Sequence, residues 1–176
     1  MGQTSLPPQS LLFMGILYAP NVALPELIQA ISECFGNIVL QSESFLFRET
    51  DYYHAEMGEN LSRIWIGFDR FVEPEKLVDI KHECNSMELN RYSLSGKRQV
   101  NLDPGYITLG KVVLASTKNN QHRLYLGKGI FGEVTLRYSK KRFQPWEWTY
   151  ADYKREEAMQ FFIQLRNILK QHLKQL

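Results

Sequence analysis

LLFMGILY, residues Leu11–Tyr18, is the stretch on which the fold turns. It is an unbroken apolar run of strand length, and runs of that kind belong to central strands buried on both faces. Pro20 and Asn21 interrupt it. Next, Leu24–Phe35 (LPELIQAISECF) sets Leu24, Leu27, Ile28, Ile31 and Phe35 at helical spacing, and Gly36-Asn37 supplies a stop signal. The pair reads as a strand with an amphipathic helix packed on it.

Moving outward, Ile38–Phe47 and Leu61–Phe71 return to β character, the second with Ile64, Ile66 and Phe68 on one face. Between them lies a polar and aromatic loop, TDYYHAEMGEN. Glu73–Tyr92 opens with Pro74 in its first turn and reads as a helix through Leu77, Ile80, Cys84, Met87 and Leu89. A fourth strand is expected at Arg98–Asn101 or slightly beyond, ending at an Asp103-Pro104-Gly105 turn. Strand, helix, strand, strand, helix, strand is the order of the ferredoxin-like split βαβ. The expectation is therefore an α+β fold whose first two-thirds are ferredoxin-like.

The remainder adds a β-hairpin, Arg123–Leu126 with Glu133–Tyr138, turning at Gly127-Lys128-Gly129. A C-terminal helix follows, with Ala158, Phe161, Phe162, Leu165, Ile168, Leu169 and Leu173 as its buried stripe and Thr149-x-x-Asp152 as its capping box. For Thr108–Thr117 helix and strand both remain open. The chain of 176 residues, 44% hydrophobic, has no linker-like stretch and reads as a single domain, 1–176, with 1–10 a loose arm around Pro7-Pro8. Cys34 and Cys84 are far apart and lack CxxC spacing, which suggests neither a zinc site nor a disulfide framework. No apolar run reaches the length of a spanning helix and no leader pattern is present, so a cytoplasmic location is expected.

The charge is unevenly spread. Lys97–Arg142 holds ten of the 21 Lys+Arg and two of the 19 Asp+Glu, in a chain of net charge +2. Such an excess, set on a glycine-containing hairpin, points to an anion. Lys111, Lys118, His122, Arg123 and Lys128 are the candidate phosphate holders, with Tyr106 positioning the ligand. Asp103 and Glu133, the two acids of the segment, are the candidate acid/base groups. Gly127-Lys128-Gly129-Ile130-Phe131-Gly132-Glu133-Val134 matches a kinase glycine-rich loop, but no HRD or DFG follows. It precedes a strand, not the helix a dinucleotide fingerprint opens, and no Walker A occurs. The plain reading is a set of glycines for a tight hairpin.

Asp51, His54 and Glu56 are the weak metal candidates, without any standard ligand spacing, and no metal is expected. Trp146, Trp148, Tyr150 and Tyr153, interleaved with basic residues, have the composition of a single-stranded nucleic-acid surface. They equally serve a helix start packed on a sheet, the preferred reading.

The run VNLDPGYITLGKVVLASTKNNQHRLYLGKGIFGEVTLRY, with TDYYHAEMG upstream and PWEWTYADY downstream, resembles the bacterial family catalogued as domain of unknown function 4416, over nearly the whole chain. The resemblance implies a small soluble single-domain protein found in prokaryotes, and it brings no activity or cofactor. Three functions follow from the residues. The first is an uncharacterised protein that binds a phosphorylated ligand, a nucleotide or RNA, through 97–142. The second is an enzyme acting on a small anionic metabolite. The third is an interaction module that self-associates through its acidic N-terminal part and basic segment.

Overall fold

The structure, a computed structural model, describes residues 2–175. Its elements are β1 (Leu11–Tyr18), α1 (Leu24–Phe35), β2 (Ile38–Gln41), β3 (Phe45–Leu46), the single-turn α2 (His54–Met57), β4 (Ser62–Phe71) and α3 (Leu77–Arg91). They continue with β5 (Ser93–Leu94), β6 (Lys97–Arg98), β7 (Val100–Ile107), β8 (Lys111–Ser116), β9 (Leu124–Gly127), β10 (Ile130–Ser139), β11 (Arg142–Pro145) and α4 (Glu156–His172). Residues 2–9 have no regular secondary structure and are exposed.

Nine strands form one sheet in the order β11-β10-β8-β7-β1-β4-β2, with β3 added to β4 and β9 to β10. Every pairing in it is antiparallel. Within it β7-β1-β4-β2 is the ferredoxin-like 4-1-3-2 arrangement, and β8, β10 and β11 extend that sheet past β7. The α+β reading holds, and so do the added hairpin and the C-terminal helix. The hairpin turns at Gly127, Lys128 and Gly129, all three with positive φ.

β1 is buried along its whole length, as its sequence requires. Leu12, Met14, Ile16 and Tyr18 face α1 and α3, meeting Leu27, Ile31 and Phe35 on one helix and Ile80, Cys84 and Met87 on the other. Leu11 and Phe13 face α4 through Phe161, Phe162, Leu165 and Leu169. Each such side chain stabilises the fold by about 1.5–3 kcal/mol. The polar arm, the strand and the first helix thus follow from period and composition alone.

Three local expectations are corrected and one left open is settled. Ile38–Phe47 is two short strands, parted where Ser42 Oγ accepts the Trp65 N–H at 2.9 Å. Residues 108–117 contain a strand, β8, because Val112 and Val113 sit between β7 and β10. Thr149 caps no helix: it donates to Thr135 O at 2.6 Å and accepts from Trp146 N at 2.8 Å, and α4 starts only at Glu156. Asp103-Pro104-Gly105 is no turn but the middle of β7, paired with Gly15, Met14 and Phe13 of β1.

That last correction positions the site. β7 pairs with β8 only from Gly105 to Ile107. Pro104 has no N–H to donate, and the ladder to β8 is missing at its position. At Gly105 the strands run so close that a Cβ would stand 2.3 Å from Val113 O. Pro104-Gly105 is therefore the pivot of a fork. Below it the first half of β7 stays with β1, while Ala115 and Ser116 of β8 go with β10.

Candidate functional site

A cleft of about 430 Å³ fills this fork. Asn101 and Asp103 line one arm and Leu114 to Lys118 the other. α3 contributes Lys81 and Asn85, β4 contributes Arg63, the loop before α2 contributes Tyr52 and Tyr53, and the segment before α4 contributes Tyr150 to Tyr153. Because the sheet is open here, side chains from its two sides meet. Asp103 lies 3.5 Å from Lys81 of α3 and 3.8 Å from Arg63 on the α4 side.

The floor is a polar inlay in an otherwise apolar layer. Arg63 and Asp152 are buried, with Arg63 Nε 2.9 Å from Asp152 Oδ2. The contact is an ion pair out of line for a hydrogen bond, and neither Nε nor Nη1 of Arg63 has a hydrogen-bond partner. Gly15 makes the space: a Cβ there would stand 2.6 Å from Tyr153 Oη and 3.2 Å from Arg63 Nη1. Burial pushes the Asp152 carboxyl up from its ordinary value, and Arg63 pulls it back in part. A buried donor without a partner is costly in a finished interior and unremarkable beneath a ligand.

The walls carry three further charged clusters. Lys81 Nζ donates to Leu102 O at 2.7 Å, and Asn101 Nδ2 donates to Asp103 Oδ2 at 2.7 Å. Arg98 grips Glu56 with both Nε and Nη2, at 2.6 and 2.8 Å, while Nη1 reaches the buried Glu88 and Asn101. Arg123 Nε donates to Glu133 at 2.7 Å, its Nη1 to Ser116 and to Lys118 O, and its Nη2 to the Tyr150 hydroxyl. Burial acts to lower the Arg123 pKa, but the hydrogen bonds and charges of Glu133 and Tyr150 together raise it above its ordinary value. Lys118 is different. Its ammonium lies 3.5 Å from the centre of the Tyr52 ring and has no ion-paired carboxylate among the described residues.

The candidates from the sequence divide accordingly. Asp103, Glu133, Lys118 and Arg123 line the cleft, and His122 stands behind it, 3.1 Å from Glu133. Tyr106, Lys111 and Lys128 do not. Tyr106 packs against the α1 and α3 core, Lys111 is exposed at the start of β8, and Lys128 on the hairpin turn is paired with Asp79 at 2.8 Å. Asp51 and His54 approach to 3.5 Å, but Glu56 turns to Arg98. Among the described residues no three His, Cys, Asp or Glu side chains gather to hold a metal ion. Trp146 and Trp148 stack on each other at 5.1 Å, with His122 on one side at 5.4 Å and Arg137 on the other at 4.3 Å, so the ladder uses up its own faces.

Sequence reading missed Arg63, Lys81, Arg98 and Asp152. One signal was there: Arg63 has the same parity as Trp65 in a strand whose other parity is Ile64 and Ile66, a charge at an inward position. Arg98 lay inside the basic segment without a mark to set it apart. Asp152 was absorbed by the apparent capping box.

The chain belongs to the family described as a domain of unknown function, DUF4416, whose model matches residues 8–169. No curated protein and no solved structure matches it. No helix among the described residues is long and apolar enough to cross a membrane.

Proposed function

We propose that the cleft in the β7–β8 fork binds a small phosphorylated ligand of nucleotide size. The observation that carries this reading is Arg63, a guanidinium buried in the cleft floor with two donor nitrogens left without hydrogen bonds. Lys118 supports it as a cation at the rim with no ion-paired carboxylate among the described residues. Tyr52, Tyr53 and Tyr150 offer ring faces and hydroxyls for a base or sugar. The cleft volume of about 430 Å³ falls in the range of small-molecule sites and is small for a strand. With the tryptophan ladder stacked on itself, a mononucleotide is the better occupant than RNA. The basic excess of 97–142 does not by itself make the site, because Lys111 and Lys128 lie outside it.

Calorimetric titration of the full chain with AMP, GMP, CMP, UMP and inorganic phosphate tests the proposal. At least one nucleotide is expected to bind more tightly than phosphate, and added salt is expected to weaken it. Absence of binding by all five at millimolar concentration would sink the reading.

A catalytic reading has one specific support. Of Asp103, Glu133 and Asp152, only Asp103 keeps notable exposure, 23% against 1% and 3%, so it alone can meet a ligand as acid or base. Asp103→Asn would then abolish turnover of a bound nucleotide while leaving its affinity within a few-fold, and an unchanged rate would remove Asp103 from the chemistry.

A further inference from the structure

Arg98 has more acid around it than one guanidinium neutralises. Glu88 takes Nη1 from the protein interior, where it is 1% exposed and also accepts the Leu102 N–H at 2.7 Å. Glu56 takes the Nε and Nη2 edge from the side of the loop, and it is 40% exposed. The two carboxylates are not equivalent. Glu88 is built in, while Glu56 sits on a four-residue helix whose anchor is its neighbour Met57, 3% exposed against Phe47 and Leu61.

The whole cleft is balanced in the same way. Arg63, Lys81, Arg98, Lys118 and Arg123 line it or reach it, and Asp152, Asp103, Glu56, Glu88 and Glu133 are the carboxylates around them. Five cations face these five acids, and Glu49, which also lines the cleft, is paired with Arg155 beyond it, so an anion entering the cleft meets no net attraction until one acid leaves. Glu56 is the acid free to leave, because a change of its rotamer into solvent moves neither Met57 nor the backbone.

We infer that the Nε and Nη2 edge of Arg98 is the oxyanion subsite of the cleft and that Glu56 occupies it as an internal stand-in for the ligand's phosphate. The inference rests on the reading of the cleft as a phosphorylated-ligand site and adds where the phosphate goes and what it must displace. Two parallel N–H···O bonds to one guanidinium edge are the geometry that carboxylate and phosphate share. Asn101 connects this edge to the rest of the cleft, accepting from Arg98 Nη1 at 3.3 Å and donating to Asp103 at 2.7 Å. A phosphate there stands one side chain away from Asp103. Glu56 is held below its ordinary value, first by the Arg98 hydrogen bond and, among smaller influences, by Lys118. An anion in its place therefore faces two cations.

The test titrates inorganic phosphate and AMP into the full chain at low salt, as wild type, Glu56→Gln and Glu59→Gln. Glu59→Gln removes the same charge from the same loop without touching Arg98. Glu56→Gln is expected to bind phosphate about tenfold more tightly than wild type, and Glu59→Gln to match wild type within about twofold. A crystal of Glu56→Gln soaked in phosphate is expected to hold the anion across Nε and Nη2 of Arg98. Equal phosphate affinity in the two variants, or an anion bound elsewhere in the cleft, overturns the inference. The larger reading fails separately. If phosphate tightens in Glu56→Gln but AMP never exceeds it, the subsite stands without the nucleotide, and if wild type prefers AMP while Glu56→Gln tightens neither probe, the nucleotide site stands without the displaced glutamate.

Discussion

The two faces of β4 are made by the same ten residues and have opposite characters. Ile64, Ile66 and Phe68 enter an apolar cluster with α1 and α3, whose buried charges, Lys81 and Glu88, lie apart from it against β7. Arg63, Trp65 and Gly67 face α4, and there an Arg63–Asp152 pair is set among Trp65, Tyr153 and Phe162. Burial of the first set is favourable without conditions. Burial of the second is not, since a buried ion pair is often no more stable than apolar groups of the same volume. The difference separates two tasks: the α1 and α3 face holds the fold together, and the α4 face gives up stability where the fork brings charge into the interior.

Substitutions on each face test this separation, and the largest effects come first. Phe68→Ala opens a cavity in the apolar face and is expected to lower stability by about 3–5 kcal/mol. Asp152→Leu should cost a similar ~3–5 kcal/mol, for the different reason that Arg63 is left charged and buried with only Asp103, 3.8 Å away, to face it. The faces part in the double variant. Adding Arg63→Met to Asp152→Leu is expected to restore most of the loss in urea denaturation, whereas no second change on the other face repairs Phe68→Ala so simply. If the double variant stays as unstable as Asp152→Leu alone, the polar inlay is structural and the contrast between the faces fails.

Gly15→Ala comes next. Its Cβ would stand 2.6 Å from the hydroxyl of Tyr153, itself fully buried, so nothing nearby can give way cheaply. Overpacking of this kind is expected to cost about 1–3 kcal/mol. Gly110→Ala, with nothing within 4 Å of its Cβ, serves as the control and should change thermal stability far less. Equal shifts in melting temperature for the two would mean that the space around Arg63 is not tight.

Periodicity made the apolar face legible. The apolar run of β1, the stripe of α1 and the strand and helix order gave the ferredoxin-like half, because hydrophobic spacing there matches burial at most positions; Leu89, read into the α3 stripe, is instead 62% exposed. The fork was hidden for a local reason: Asp-Pro-Gly is strong turn chemistry, and only the pairing of all three residues with β1 overrides it. The cleft was half legible. Asp103, Glu133, Lys118 and Arg123 came from local charge density. Arg63 and Asp152 are 89 residues apart in sequence and join only in three dimensions, while Glu56 looked like a metal candidate because its partner, Arg98, lies 42 residues on.

A smaller effect concerns pH. Arg98 holds the Glu56 carboxyl below its ordinary 4.5, so folding gains stability from the pair above that value and loses it as the pH falls through the lower value of the folded state. Glu56 is partly exposed, and the gain is under about 1 kcal/mol. Denaturation of wild type and Glu56→Gln should thus differ most near neutral pH and converge in acid. A gap that widens on acidification would show that the pair does not favour the charged carboxylate.

Lys118→Ala should have the smallest effect on folding and is the sharpest probe of the comparison. Its ammonium lies over the exposed Tyr52 ring, a contact worth about 0.5–1 kcal/mol at such a site, partly returned when the side chain regains its freedom. Net stability should therefore move by no more than about 0.5 kcal/mol. A charge-assisted contact to a phosphate is worth more, and nucleotide affinity should fall about tenfold. On the proposed reading, Arg63 and Asp152 at the floor bear on folding and binding together, and Lys118 at the rim bears on binding alone. If Lys118→Ala unfolds as readily as Asp152→Leu, the rim is part of the fold, and the claim that charge was placed in this cleft for a ligand loses its cleanest support.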